Sequence, residues 1–485
     1  MPCGATRPAG DTGACAGYRQ PVEYRFVVVA NRLPVDRADD GGWTRSPGGL
    51  VSALEPIARN SGGAWVGWTG AVGDETAPFD HDGVYLRPVP LSPEDVDRYY
   101  EGASNSTIWP LFHDAVEQPV HKRDWRRSYD AVNRRFAEAT AEVAAEGATV
   151  WIHDYQLMLV PALLRAARPD LRIGFFLHIP FPPVELFMQL PGRGDLLRGL
   201  LGADLVGFQR PLAAENFLQL AARLTGLHPD GETVAYEGRT VTARAFPISI
   251  DVAGSERMTS DPAVLRERER LQEDLGGDRR ILLGVDRLDY TKGIEQRIEA
   301  YGELLAEGAL AADEVVLIQL ATPSRMRVAQ YQQLRERVER EVGRINGEFG
   351  DVGRVPVHYL FQSRSPEELQ ALYLSADVMV VTPLRDGMNL VAKEYVAARQ
   401  DEGGALVLSE FTGAAAELPD AFLVNPYDVD DLKRGITAAL RATPSDLRDR
   451  MRRMRTHLRE HDVDRWARSF LDALGGIKLD PPCPQ

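Results

Sequence analysis

Val378-Met379-Val380-Val381-Thr382-Pro383-Leu384-Arg385-Asp386-Gly387-Met388-Asn389-Leu390-Val391-Ala392-Lys393-Glu394 is the stretch whose reading decides the fold. Its first four residues are a near-continuous apolar run, the pattern of a strand buried on both faces of a parallel sheet. Pro383 and Gly387 break the run. From Asn389 to Arg399 the composition is helical, with Lys393 and Glu394 in the second turn. Strand, glycine-containing loop and helix N-terminus together present free backbone N–H groups and the positive end of a helix dipole, which suits a phosphate or another anion. Glu394 lies one turn further in, where a carboxylate could accept from two ribose hydroxyls. Taken alone, the stretch reads equally well as a plain βα turn with a solvated Lys393/Glu394 pair.

The same unit recurs on both sides of it. Strand 281–285 leads into Asp286-Arg287-Leu288-Asp289-Tyr290-Thr291-Lys292-Gly293, which puts Arg287 and Lys292 on one strand–helix loop. Two cations there, in an acidic chain, point to a bound polyphosphate. Strand 315–320 leads into Thr322-Pro323-Ser324-Arg325, and strand 355–361 into a polar loop. Further upstream, Thr149 to Tyr155 is a strand ending in His153-Asp154, and Ile173 to Leu177 one ending in His178. Phe26 to Ala30 is the first strand, closed by Asn31-Arg32. The glycine pair Gly48-Gly49 then opens a helix and reads as a second phosphate cradle or a simple turn. C-terminal edges of parallel strands are where α/β proteins place their sites, although a lone histidine there also reads as a satisfied core residue. The aromatics Trp65, Trp68, Tyr99, Tyr100 and Trp109 suit either a core or a loop that stacks on a sugar ring. Asp428-Val429-Asp430 resembles a metal-binding Asp-x-Asp, and the helix N-cap reading is favoured. Helices are expected over 125–146, 264–274, 429–442 and 444–473, and an antiparallel excursion over 228–245.

This alternation predicts an α/β protein of two doubly wound Rossmann-like domains facing each other across a cleft. The expected division is a disordered leader over 1–22, an N-terminal acceptor-binding domain over 23–250 and a C-terminal nucleotide-sugar domain over 251–455. The last segment, 456–485, should return as a helix onto the N-terminal domain and end in a tail.

Composition narrows the function classes. The chain has 485 residues, 44% of them hydrophobic, and a net charge of −15, with a pI near 5.2. Nucleic acid and anionic membranes are therefore excluded as general partners, and an anionic ligand needs a local basic pocket. Cys3, Cys15 and Cys483 all lie in the tails, so the body holds no cysteine metal site or disulfide framework. There is no signal-peptide pattern and no long apolar run, which predicts a cytoplasmic location. Homo-oligomerisation is left open.

Together the motifs resemble the trehalose-6-phosphate synthases, retaining glycosyltransferases of the GT-B fold. The resemblance runs from about residue 24 to about residue 470. It is carried by Ala30-Asn31-Arg32, Gly48-Gly49-Leu50, Tyr99-Tyr100, Ser104-Asn105 through Leu111, Trp151 to Tyr155, Phe175 to Pro182, Arg287 to Gly293, Thr322 to Arg325, Arg344-Ile345-Asn346-Gly347 and Pro383 to Glu394. It implies transfer of glucose from a nucleotide-diphosphate-glucose, UDP-glucose first and GDP- or ADP-glucose as alternatives, to glucose 6-phosphate. In that scheme Gly48, Gly49, Arg287 and Lys292 hold the donor diphosphate. Asp386, Gly387, Met388, Asn389, Leu390, Val391 and Glu394 hold the donor glucose and ribose. Arg32, Tyr100 and Arg325 grip the acceptor phosphate, and Trp68, Trp109, Asp154 and His178 surround the sugars. Asp154, His178, Arg287, Lys292 and Asp386 are the catalytic candidates. No metal or other cofactor is implied. Alternatives are a pseudo-glycosyltransferase coupling cyclitols and a catalytically silent trehalose-6-phosphate sensor. The loop Phe361 to Arg364, expected near the nucleotide base, departs from the family pattern and leaves the base open.

Overall fold

The computed structural model describes residues 23–38, 41–46, 49–275 and 279–475. The expected leader, Gly48 and the three cysteines lie outside those residues. The strands are β1 (Tyr24–Arg32), β2 (Val35–Arg37), β3 (Trp43–Arg45), β4 (Ala64–Trp68), β5 (Phe79–His81), β6 (Val84–Pro88), β7 (Ala144–His153), β8 (Arg172–Phe176), β9 (Leu205–Phe208), β10 (Thr233–Tyr236) and β11 (Arg239–Ala245). They are followed by β12 (Arg280–Arg287), β13 (Val315–Thr322), β14 (Val357–Leu360), β15 (Val378–Val381), β16 (Ala405–Ser409) and β17 (Phe422–Val424).

They build two large sheets, ordered β10-β11-β9-β8-β7-β1-β4-β6-β5 and β14-β13-β12-β15-β16-β17. The second is parallel throughout. The first is parallel from β11 to β6 and carries an antiparallel hairpin at each edge. In both, the first strand lies in the middle and the chain winds outward first one way, then the other. The order reverses between β1 and β7 in one sheet and between β12 and β15 in the other. At such a reversal the two following loops diverge and leave a crevice at the strands' C-terminal ends. That rule alone places Arg32, Asp154, Arg287 and Asp386 at the crevices.

Buried residues pin the reversal in the second sheet. Arg297, 1% exposed, donates to Asp286 and Gln319 at 2.7 Å each and to Thr382 at 3.2 Å. Gly293 has φ +61°, and a Cβ there would strike the Thr382 carbonyl, so the loops after β12 and β15 touch backbone to backbone.

Three expectations are corrected. Lys393 and Glu394 are no solvated pair: Lys393 is fully buried, ion-pairs with Glu417 and donates to the Ile248 carbonyl at 2.7 Å, which ties the crossover between the sheets to the helix Leu390–Ala398. The helix expected over 444–473 is two, Pro444–Glu460 and Val463–Leu474. The break comes where Asp462 caps the second by accepting from Arg465 N at 2.8 Å. That second helix lies against the first sheet: Phe470 stacks on Trp151 at 4.5 Å, over Gly174 and Gly207, where a Cβ would meet its ring. Lastly, the aromatic loop near Tyr99 is a helix over Val96–Ile108 wound in the wide π form; the Trp109 amide donates five residues back, to Ser104. Such winding is rare and frequent at functional sites. Asp428 caps Val429–Arg441 by accepting from Asp431 N at 3.1 Å, and Asp430 pairs with Lys433. No helix among the described residues is long and apolar enough to cross a membrane.

Candidate active site

On the second sheet's side, the loops after β12 and β15 form one assembly. Leu384 N donates to the Thr291 carbonyl at 2.8 Å. Lys292 Nζ lies 2.6 Å from Asp386 Oδ2, to which Asn389 also donates at 3.2 Å. Burial opposes charge on Asp386, yet the Lys292 ammonium outweighs it and holds the carboxyl below its ordinary range. Asn389 sits at φ +84° and caps the helix Leu390–Ala398 by accepting from Ala392 N at 3.0 Å. The amides of Leu390 and Val391 thus open a helix N-terminus close to Lys292. Among the described residues Glu394 has no cationic partner. It accepts from the Tyr373 hydroxyl at 2.8 Å, and burial pushes its carboxyl up. Gly387 is where this assembly meets the first sheet: a Cβ there would strike the His178 carbonyl and the Ile179 backbone.

The facing wall comes from the first sheet. Trp109 follows the wide helix, and its ring carries Arg325 at 3.8 Å and Arg287 at 5.3 Å. The two guanidiniums differ in freedom. Arg287 is 44% exposed, whereas Arg325 is 5% exposed, with Nη1 2.6 Å from the Tyr331 hydroxyl and Nη2 3.0 Å from the Tyr155 hydroxyl. Tyr155 in turn donates to Asn105 Oδ1 at 2.8 Å, so the wide helix supports Arg325 through one tyrosine. Asp289, fully buried, lies 3.4 Å from Arg325 and 3.9 Å from Arg287. Burial alone would raise its carboxyl, but Arg325, Arg287 and Lys292 pull it down to about 2.

Arg32 leaves the end of β1, 44% exposed, with Asp36 at 2.6 Å and the Trp68 ring at 5.2 Å. Trp68 meets Tyr100 edge-on at 5.7 Å, and Tyr100 also acts electrostatically on Arg325. Arg32, Trp68 and Tyr100 are therefore packed in one series. Asp154, after β7, has φ +76° and ψ 170°, a region almost reserved for glycine. It accepts from His178 N at 3.2 Å, and burial pushes its carboxyl up to about 6. His178, after β8, is driven down to about 3 by burial.

Apart from Gly49, which opens the helix Gly49–Asn60, and Met388, whose carbonyl accepts from Ala414 N at 2.8 Å, the expected site residues that are described gather at this cleft. Asp289, Tyr155, Tyr331 and Asn105 were not singled out from the sequence. Asp289 stands inside the quoted Arg287–Gly293 motif, where a carboxylate between two cations was a usable signal. His113 was also missed: its ring meets that of Trp109 at a tilt with centres 4.1 Å apart, its Nδ1 donates to the Trp109 carbonyl at 2.7 Å, and burial lowers it to about 4. A single histidine in a loop carries no such signal. Among the described residues no group of three histidine, cysteine or acidic side chains could hold a metal ion.

A family model described as Glycosyltransferase family 20 matches residues 24–475. The chain belongs to glycosyltransferase family 20. It is 57% identical to a trehalose-6-phosphate synthase of Mycolicibacterium paratuberculosis, over 96% of this chain and 98% of that one. It is 58% identical to one of Mycobacterium marinum, over 93% of each. Among solved structures it is similar to a UDP-forming α,α-trehalose-phosphate synthase of Burkholderia xenovorans in complex with glucose-6-phosphate. That likeness has a TM-score of 0.87 and 34% identity, over 93% of this chain and 100% of that one. The synthase of E. coli bound with UDP-2-fluoro glucose gives 0.87 and 34%, over 93% and 99%. The fold is GT-B, and the chain is a glycosyltransferase.

Proposed function

We propose that this family 20 enzyme transfers glucose from UDP-glucose to the anomeric hydroxyl of glucose 6-phosphate, with retention and without a metal ion, to give α,α-trehalose 6-phosphate. The observation that carries the reading is the cationic cluster at the Trp109 ring, where Arg287 and Arg325 lie 5.3 and 3.8 Å from the ring centre and both approach the Asp289 carboxylate, Arg287 exposed and Arg325 buried. A reaction between two phosphate-bearing substrates needs such local positive charge in an acidic chain. Two similar synthases carry glucose-6-phosphate and UDP-2-fluoro glucose, both phosphate-bearing molecules, which supports that reading.

As the C1–O bond to the donor phosphate breaks, charge grows on the leaving diphosphate. Arg287, Lys292 and the amides at the Leu390 helix start are placed for that charge, so they act on the transition state more than on the ground state. The new C1–O bond forms on the same face, and the acceptor hydroxyl proton passes to an oxygen of the leaving phosphate. A covalent route would need a carboxylate nucleophile. Asp386 is engaged by Lys292 and Asn389, and Asp154 is turned to the His178 backbone amide, which favours the front-face route. Glu394, neither paired nor neutralised by a cation, suits the ribose hydroxyls.

Initial rates with UDP-, GDP- and ADP-glucose, each with glucose 6-phosphate and excess chelator, test the reading. The expected result is nucleoside diphosphate release with UDP-glucose at an undiminished rate. Activity that vanishes under chelation and returns with Mg²⁺ or Mn²⁺ would overturn the metal-free route. A faster rate with another base would overturn the donor assignment.

A further inference from the structure

His153 ends β7 and His178 follows β8, and their rings meet: Nδ1 of His153 lies 3.1 Å from Nε2 of His178. His153 is fully buried, with the Trp151 ring at 4.8 Å and the Phe176 ring at 6.5 Å. Burial depresses both imidazoles far below their ordinary value, so both rings are neutral near pH 7. Two neutral rings in contact share a single proton, and that proton belongs to one of them.

The other nitrogen of His153 decides which. Among the described residues its Nε2 is buried and has no hydrogen-bond partner. If His178 Nε2–H were the donor, His153 would have to carry its own proton on Nε2, as an orphaned N–H among aromatic rings. Buried N–H groups without partners are rarer than under-satisfied acceptors, and each costs free energy. If His153 Nδ1–H is the donor, its Nε2 is only a bare lone pair. His178 then accepts on Nε2 and carries its proton on Nδ1. His178 is the half-buried member, and its backbone carbonyl abuts Gly387 of the donor loop.

We propose that His153 is a positioning residue that fixes His178 as its Nδ1–H tautomer, so that His178 offers a hydrogen-bond donor to a hydroxyl oxygen of a sugar in the cleft. The tautomer half stands on the histidine pair alone; the sugar half rests on the reading of the cleft given above. Fixing a functional ring's tautomer through a buried partner is a known use of histidine chemistry.

Nitrogen-15 spectra of the full-length enzyme labelled at histidine read the tautomer directly, with His178 assigned from the signals lost in His178→Gln. The parent should show His178 protonated at Nδ1, and His153→Leu should show a mixture or the other form. In kinetics, His153→Leu should lower kcat about ten- to a hundred-fold, as loss of an outer partner of a functional histidine does. His153→Asn, whose amide N–H takes the Nδ1 position, should recover most of that loss, with melting temperatures checked for each variant. A parent spectrum with His178 protonated at Nε2 overturns the tautomer assignment, whatever the variants do. Spectra as expected with unchanged kcat in His153→Leu overturn the sugar contact instead.

Discussion

Arg32 and Arg325, the two arginines proposed for the acceptor phosphate, are held differently, and the difference is measurable. Arg32 is half-exposed with one carboxylate partner, whereas Arg325 is locked by Tyr155, Tyr331 and Asp289. A charge-assisted hydrogen bond contributes roughly 1.5–3 kcal/mol, and about 1.4 kcal/mol is tenfold in rate. Arg325→Ala and Arg32→Ala should each lower kcat/KM for glucose 6-phosphate about ten- to a hundred-fold while changing that for glucose little. Arg325→Ala should also lower the melting temperature, because Asp289 loses its nearest cation. An unchanged ratio between the two acceptors in both variants would refute the phosphate assignment. Asp154 makes a second case. Its carboxyl sits near 6 in the folded protein, chiefly through burial, against roughly 3.9 unfolded. Between those values the folded state holds more protons than the unfolded one, so stability falls as pH rises through about 4 to 6, and the burden is complete above it. The gap corresponds to about 3 kcal/mol. Asp154→Asn should therefore melt higher than the parent at pH 7, lose that advantage near pH 4, and turn over more slowly at both. A variant that melts lower at pH 7 would show that the charged form is stabilising there.

The elements explain which of these residues could be read in advance. Strand–glycine–helix units announced Arg287, Lys292 and Asp386 because periodicity locates strand ends, and strand ends locate sites. The support beneath them was illegible, since Tyr155 and Tyr331 bond to Arg325, and Asn105 to Tyr155, from three separate elements distant in sequence. The wide helix over Val96–Ile108 was unreadable for a different reason: its period matches neither template used to read a sequence, and Gly102 is there because the Trp125 ring fills the space of a Cβ. Lys393 was left open because an i, i+1 Lys/Glu pair looks solvated until its burial is known. Gly387 yields the test at this scale. A methyl there meets the His178 carbonyl and the Ile179 backbone, which cannot swing aside as a side chain can. Overpacking of this kind costs about 1–3 kcal/mol. Gly387→Ala should cut kcat by about tenfold or more, because the donor loop can no longer seat against the opposite wall. A variant with parent kcat would show that the two loops are not held in contact during turnover.

At the scale of the whole molecule, two sheets with the same winding order present their reversal points to one cleft, and the chain then crosses back to fasten them. Val463 N donates to the Ile250 carbonyl at 3.1 Å where it returns, and Trp466, Phe470, Leu471 and Leu474 are buried beyond that point. Large apolar side chains contribute roughly 1.5–3 kcal/mol each on burial. A chain ending at Glu460 should lose on the order of 5–10 kcal/mol, as much as the net stability of a typical domain, and so fail to give a cooperative melt; a truncated chain melting within a few degrees of the parent would contradict that ledger. The two-domain plan was legible because it needs only the alternation of strands and helices. The placement of one domain's loops against the other's was not, because that rests on side chains brought together by folding. The central claim is that this cleft joins two glucose units at their anomeric carbons with retention. Proton NMR of the sugar product from UDP-glucose and glucose 6-phosphate tests it most directly. The account expects UDP and a disaccharide phosphate whose two anomeric protons both show the small coupling of α linkages. A β-anomeric signal, or release of free glucose without any disaccharide, would contradict it.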